Sequence, residues 1–332
     1  MITVKKKHLC KNLKENQIVL DIETTGLDSS VDKLVLLGLV EINKGKAYTI
    51  QYFAEDDSEE DRLLDIYIKK IKNHELITYN GEIFDIPFLN SRLIKHNRLP
   101  ILPINFDLLK LIRPYRFYFD FESLKLSDIE KILGFYRDDP SRYKTISKLS
   151  EEIKTRKNPY PILKHNENDL IATELLMHLP IYFDEIMSIE TKLGKLTLRS
   201  TSINNDIANI TFSINDYHKE AYFASYTYDL HVDNYKIKIN LQVLYGKLDK
   251  QTKGFVCLNN FMIKNESSVK VDEHFLIIKE DNIYNYINIL ALGKKIIENH
   301  LWFSICQSIS LILFSFKNLL VLEKTLDPKK PL

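Results

Sequence analysis

Asp21 and Glu23 stand two residues apart at the exit of a short apolar run, Gln17 to Ile22, and Thr24-Thr25-Gly26-Leu27 follows them. On a strand, side chains two apart point to the same face. An acidic pair turned inward is costly unless neutralised, and a divalent cation neutralises it most directly. Turned outward, the pair is only two solvated acids where a strand meets a loop. Asp85 lies in Thr78-Tyr79-Asn80-Gly81-Glu82-Ile83-Phe84-Asp85-Ile86-Pro87, where a strand, an Asn-Gly turn and a helix start follow one another. There it serves as a helix N-cap or as a ligand beside the helix N-terminus. His165 and Asp169, in Lys164-His165-Asn166-Glu167-Asn168-Asp169, are i and i+4 on one helical face, a spacing that suits a solvated pair as well as a site.

The elements that must position these residues are legible. Leu34 to Ile42 and Lys46 to Phe53 are apolar runs joined by Asn43-Lys44-Gly45, a hairpin signal. Ser58 to Lys72 has helical apolar spacing, Leu76 to Tyr79 reads as a strand, and Phe84 to Asn97 reads as a helix with Pro87 in its first turn. Leu124 to Leu133 is an amphipathic helix pattern that Gly134 is placed to end, and Leu163 to Ile189 is a long helical pattern interrupted near Pro180. Alternation of strand and helix marks an α/β domain. Beyond about residue 190 the texture becomes β-rich. Lys236 to Val243 alternates strictly, Ala221 to Tyr228 and Phe275 to Lys279 are strand-like, and Asp281 to Asn299 reads as a helix despite Gly293.

Composition narrows the classes further. The 332 residues carry 46 basic and 45 acidic side chains, so a net charge of +1 draws neither nucleic acid nor membrane by bulk field. A polyanionic partner would have to be held locally or through cations. Cys10, Cys257 and Cys306 lack C-x-x-C spacing, which excludes a disulfide framework and a structural zinc site and fits a cytoplasmic protein. The first residues are basic without the apolar stretch of a signal peptide, and the uncharged segment 301–316 is too short to span a membrane.

The order of the acidic motifs, D-x-E, then N-G-x-x-F-D, then H-N-x-x-D, resembles that of the DEDD superfamily of ribonuclease H-like 3′–5′ exonucleases. The text is similar to that of the YprB-like ribonuclease H-like family through Tyr79-Asn80-Gly81, Phe84-Asp85, Phe106-Asp107-Leu108 and Ser123-Leu124-Lys125-Leu126-Ser127-Asp128-Ile129-Glu130, and on through Leu133-Gly134-Phe135-Tyr136-Arg137 and His165-Asn166. The resemblance spans roughly Ile18 to Leu179. It implies an α/β fold, a ribonuclease H-like mixed five-stranded sheet flanked by helices over 1–188. A smaller β-rich (α+β) accessory domain with C-terminal helices is expected over 189–332.

The same resemblance implies a metal-dependent 3′–5′ exonuclease acting on the 3′ end of single-stranded DNA or RNA. Asp21, Glu23, Asp85 and Asp169 would hold two Mg²⁺ or Mn²⁺ ions, which about 4 Å apart clamp the attacking and leaving oxygens of a phosphodiester displacement. Carboxylates are the hard ligands such ions take. Thr24, Asn80 and Phe84 would touch substrate. His165 stands four residues before Asp169, where one subgroup carries a tyrosine and the other a histidine one position earlier. It could orient or deprotonate the attacking water, support a ligand, or touch phosphate. The alternatives are an endonuclease using the same site, or a nucleic-acid-binding or structural subunit with little turnover.

Other residues have plainer readings. Glu55, Asp56, Asp57, Glu59, Glu60 and Asp61 suit a solvated helix start. Asp107 could face the site without being a ligand. Lys5, Lys6, Lys7, Lys11 and Lys14 could touch phosphate, with a mobile basic tail as the default reading. Lys236, Lys238, Tyr222, Tyr226 and Tyr228 are either a stacking platform for single strands or the wet face of a sheet.

Overall fold

The computed structural model describes residues 1–10, 12–135, 146–215, 220–225, 227–258 and 275–300. Lys11, Tyr136, Arg137, Tyr226, Cys306 and the segment 301–316 lie outside the described residues. The chain divides into two compact units, one of Met1–Arg116 with Asp120–Tyr182, the other of Phe117–Phe119 with the chain from Phe183 on.

The first unit is built on β1 (Ile2–His8), β2 (Gln17–Thr24), β3 (Leu34–Asn43), β4 (Lys46–Phe53), β5 (Glu75–Thr78) and β6 (Asn105–Asp107), a six-stranded sheet of order β1-β4-β3-β2-β5-β6. The β1–β4, β4–β3 and β3–β2 pairs are antiparallel, whereas β2–β5 and β5–β6 are parallel. The mixed sheet is the expected ribonuclease H-like one, with one strand more than the five expected. That strand is β1, and the reading of its lysines as a mobile tail is overturned. Three consecutive lysines hide its alternation, but an edge strand tolerates them. Lys5 lies over the Tyr48 ring at 4.1 Å, and Lys6 Nζ reaches both carboxylate oxygens of Glu167 at 2.8 Å.

β3 is buried on both faces, from Leu34 through Val40, as the near-continuous apolar run Leu34-Val35-Leu36-Leu37-Gly38-Leu39-Val40 demands. On one face, α1 (Glu60–Ile71) and α2 (Asp85–Lys95) bring Leu63, Leu64, Tyr67, Phe88 and Leu89 onto Ile18, Leu20, Ile22, Leu37 and Leu39. After β6 the chain forms the short α3 (Leu108–Ile112) and α4 (Leu126–Ile129), the latter running on as a 3₁₀ turn to Leu133 and closed by Gly134. Then come α5 (Ile146–Thr155) and α6 (Pro159–Leu176), whose Ile153 and Ile162 pack with Val35, Leu36 and Phe53. α7 (Leu179–Ile186) follows after the break expected near Pro180.

The acid run before α1 is only partly a solvated helix start. Asp56 caps a 3₁₀ turn through Ser58, but Glu60 is fully buried. It takes Arg92 Nε and Nη2 at 2.7 Å each, the Leu34 N–H at 2.8 Å and His96 at 3.0 Å. Burial alone raises the Glu60 carboxyl; the donors from Arg92, Leu34 and His96 outweigh it and hold it below its ordinary value. Arg92 also donates to the Ser29 carbonyl at 3.0 Å, so one ion pair ties both helices to the loop that follows β2.

The second unit holds a six-stranded antiparallel sheet of β7 (Ser188–Thr191), β8 (Gly194–Asn204), β9 (Ile207–Ile214), β10 (Ala221–Ala224), β11 (Tyr228–Asp233) and β12 (Lys236–Gln242), in the order β10-β11-β12-β9-β8-β7. A four-stranded sheet adds β13 (Leu244–Lys247), β14 (Lys253–Leu258), β15 (Phe275–Glu280) and β16 (Ile283–Tyr284). Helix 286–300 then starts later than its sequence pattern, because the first residues of that pattern form β16. Gly293 lets this helix close on the sheet, since a Cβ there would fall 2.5 Å from the Phe212 ring. The tyrosine platform shrinks. Lys236 and Lys238 are exposed on β12 and Tyr222 on β10, but Tyr228 belongs to the buried side, with its hydroxyl on His300.

Asp107 ends β6 and organises what precedes α2. Its Oδ1 accepts the N–H groups of Asn80 at 2.9 Å, Leu109 at 3.0 Å and Lys110 at 3.4 Å, and its Oδ2 accepts that of Glu82 at 3.0 Å. It caps α3 and pins the turn leading to Asp85 at once. Asp107→Asn puts an amide NH₂ against the Glu82 N–H, so it should lower unfolding stability by about 1–3 kcal/mol. Urea denaturation measures this; an unchanged midpoint would refute the clamp.

Candidate active site

Asp21 and Glu23 face α6. In the β2–β3 register Asp21 stands opposite Gly38 and Glu23 opposite Leu36, and Leu36 packs with Ile162 of α6. The alternate residues Ile18, Leu20 and Ile22 enter the opposite core with α1 and α2. A register irregularity follows between Glu23 and Thr24, where the strand gives way to the loop. The D-x-E pair is therefore turned inward, the costlier of its two readings.

Asp85 is buried as the first residue of α2, and it is not the N-cap; Phe84 holds that position and makes no side-chain cap bond. Its carboxylate faces the N–H groups of Ile22 and of Asp85 itself, which joins the helix start to β2. Burial raises the Asp85 carboxyl to about 7 against the pull of those two N–H groups, with the charges of Asp107 and Asp169 adding to the rise. Burial likewise pushes Asp21 well above the usual carboxylate range, reinforced by Asp169, Asp85 and Glu23 in that order. Three elements, β2, α2 and α6, thus bring four carboxyl groups into one another's field.

Among the described residues, no three His, Cys, Asp or Glu side chains converge tightly enough to enclose an ion in this arrangement. The donor set still fits hard divalent cations, being all carboxylate and half of it protonation-prone through burial and mutual repulsion. His165 Nε2 lies 3.5 Å from Asp169 Oδ2, so the i, i+4 pair meets at the edge of this cluster. Of the residues expected to touch substrate, Thr24 donates its hydroxyl to the Gly26 carbonyl at 2.7 Å. Asn80 sits in the left-handed region at φ 69° with its N–H on Asp107, and the Phe84 ring lies 5.7 Å from that of Phe88. Leu27 and Ile83, on the loops beside Glu23 and Asp85, are 84% and 73% exposed and offer apolar surface there.

Two polar residues carry roles that the sequence reading does not assign, although Asn166 stands in the H-N-x-x-D motif. Asn166, fully buried on α6, donates Nδ2 to Asp21 Oδ2 at 2.7 Å, and Gln51 on β4 donates Nε2 to Asn166 Oδ1 at 2.8 Å. The signals were a glutamine inside an apolar strand and a glycine, Gly38, inside another. Such a glycine marks a close approach.

The chain matches the RNase_H_2 family, of the RNase_H superfamily, over residues 18–180. The PolC-type DNA polymerase III of Ureaplasma parvum serovar 3 (strain ATCC 700970) is 25% identical over 259 residues, 60% of this chain and 18% of that protein. The uncharacterized protein YprB of Bacillus subtilis (strain 168) is 29% identical over 175 residues, 50% of this chain and 42% of YprB. The chain therefore spans less than half the length of either relative. Among solved structures, the family B DNA polymerase from Pyrobaculum calidifontis superposes at a TM-score of 0.40 and 16% identity, over 52% of this chain and 25% of that one. E. coli exonuclease I in complex with a dT13 oligonucleotide does so at 0.36 and 11%, over 60% and 55%. Superpositions this loose carry no functional weight. The family match begins on the strand of Asp21 and ends just beyond the helix of Asp169, so the stretch that is similar to the RNase_H superfamily contains all four acidic residues.

Proposed function

We propose that this chain is a metal-dependent 3′–5′ exonuclease of DEDD type that hydrolyses phosphodiester bonds of single-stranded nucleic acid. The observation that carries the reading is the field shared by Asp21, Glu23, Asp85 and Asp169, delivered by three elements in the order the family pattern requires. Asp21, Glu23, Asp85 and Asp169 would hold Mg²⁺ or Mn²⁺. When bound, these ions supply Lewis acidity and charge neutralisation at the scissile phosphate.

The chain's own residues do the rest. Burial on an apolar sheet excludes bulk water from Asp85 and strengthens every charge interaction around it. His165, beside Asp169, is placed to hold or accept a proton at Nε2. Thr24, Asn80 and Phe84 are assigned to substrate contact because they flank the ligands on the two loops that end β2 and precede α2.

Incubating 5′-labelled single- and double-stranded DNA and RNA with Mn²⁺ or Mg²⁺ tests the reading. A ladder of shortening products is expected; internal cuts would make the enzyme an endonuclease, and binding without cleavage a binding subunit. Asp21→Asn, Glu23→Gln, Asp85→Asn and Asp169→Asn should each abolish cleavage and leave the fold intact, since each removes a ligand charge without emptying volume. Near-normal turnover in any of them at saturating metal overturns the ligand set.

Proton linkage gives an independent check. The folded state keeps the Asp85 proton up to about pH 7, whereas an unfolded aspartate releases it near 3.8. Between those values the folded state binds more protons, so this contribution to stability is complete below the lower value and is lost as pH rises through the upper one. Cations take over the neutralising role where the proton has left. The rise in melting temperature on adding Mn²⁺ to chelated protein should therefore be larger at about pH 8 than at about pH 5. Equal shifts at both would contradict the site.

His165→Ala should lower turnover by roughly two to four decades, the usual span of a general-base contribution. A His165→Tyr variant clearly faster than His165→Ala points to orientation of water instead. Wild-type rate and pH profile in His165→Ala would remove the residue from the chemistry.

A further inference from the structure

Gly38 stands opposite Asp21 on one side and opposite Gln51 on the other, so the three form one row across β2, β3 and β4. Asn166 descends from α6 onto the middle of that row. A Cβ on Gly38 would fall 2.1 Å from Asn166 Oδ1, so the amide lies directly on the glycine backbone. Any side chain at position 38 would displace it.

The hydrogen bonds leave the amide one orientation. Asn166 Nδ2 donates to Asp21 Oδ2 at 2.7 Å and leans on the Asp21 carbonyl at 3.3 Å. Its Oδ1 accepts from Gln51 Nε2 at 2.8 Å, and the same Gln51 amide donates to the Leu163 carbonyl at 2.7 Å. Turned over, Asn166 would set an oxygen against a carboxylate and a carbonyl, and its NH₂ against the NH₂ of Gln51. Both amides are buried, Asn166 0% and Gln51 1% exposed, so water cannot repair a wrong orientation between them.

We propose that Asn166, oriented by Gln51 over Gly38, is a positioning residue that commits Asp21 Oδ2 to a fixed direction and leaves Oδ1 to meet a cation. The assignment rests on the metal-dependent reading above. It gives Asp21 an asymmetric carboxylate, one oxygen held by the protein and one presented. Supports of this kind beneath a ligand commonly govern metal affinity by about 10- to 100-fold.

Direct Mn²⁺ titration of the purified full chain, followed by electron paramagnetic resonance at a temperature where every variant is folded, tests it without substrate. Asn166→Leu keeps the volume and removes the donor; its Mn²⁺ affinity should fall by about 10- to 100-fold. A purely structural asparagine would instead lower the melting temperature of the chelated protein and leave the Mn²⁺ affinity of the folded protein unchanged, which would overturn the proposal. Gln51→Leu, which touches no carboxylate, should weaken Mn²⁺ binding in the same direction by a smaller factor and keeps the proposal falsifiable if Asn166→Leu does not fold. Unchanged affinity in Gln51→Leu alone would overturn the orienting role. Absence of Mn²⁺ binding by the wild type would overturn the metal-dependent reading and this inference with it. Failure in the variants alone would overturn only the inference.

Discussion

Crowding of like charge is the condition to which the first unit is built. Asp21, Glu23, Asp85 and Asp169 lie in one another's field with Asp85 buried among them, and loss of hydration is the largest cause of the rise in both Asp21 and Asp85. A fold that merely tolerated such a cluster would place it at a wet rim. Here the sheet carries two of the four on a strand beside the apolar run Leu34–Val40 of β3, and the backbone N–H of Ile22 and the amide of Asn166 are supplied where they offset part of the cost. The cluster is retained at the expense of stability, the pattern expected where charge serves chemistry.

The supporting structure forms concentric levels. Asp107 fixes the turn before α2 through the N–H groups of Asn80 and Glu82 while capping α3 through those of Leu109 and Lys110, and that turn sets where Asp85 begins its helix. The Glu60–Arg92 pair does the comparable task on the other side, joining α1, α2 and the loop after β2. A buried pair of this kind adds little net stability over an apolar isostere, but it admits one geometry. Both devices lie outside the reacting groups, and both restrict the loops that flank them.

Much of the first unit was legible because its signals are local. Apolar runs, an Asn-Lys-Gly turn and helical spacing placed β2 to β5, α1, α2 and the broken helix near Pro180. The four acids were legible through their order along the chain. What stayed hidden depends on contacts between distant segments. Glu60 looked like one more solvated acid until Arg92, thirty-two positions away, was seen to meet it. For Asp85 the local pattern alone leaves cap and ligand both open, and the N–H of Ile22, from a distant strand, is the contact it does not show. Asn166 stands inside the H-N-x-x-D pattern without a role being legible there, and Gln51 has no local pattern, since both take their meaning from the row of Asp21, Gly38 and Gln51 across three strands. β1 was missed because Lys5, Lys6 and Lys7 mask the alternation of an edge strand.

That edge strand shields its neighbour. β4 reads Ala47-Tyr48-Thr49-Ile50-Gln51-Tyr52-Phe53, seven residues without a charge, a proline or a glycine. This composition favours cross-β stacking when its backbone groups are unpaired. β1 occupies those groups along its whole length, from Ile2 against Phe53 to His8 against Ala47, and turns lysines outward in their place. The basic β1 thus covers the outer edge of an uncharged strand, and that covered strand is the one that carries Gln51 into the row holding Asp21.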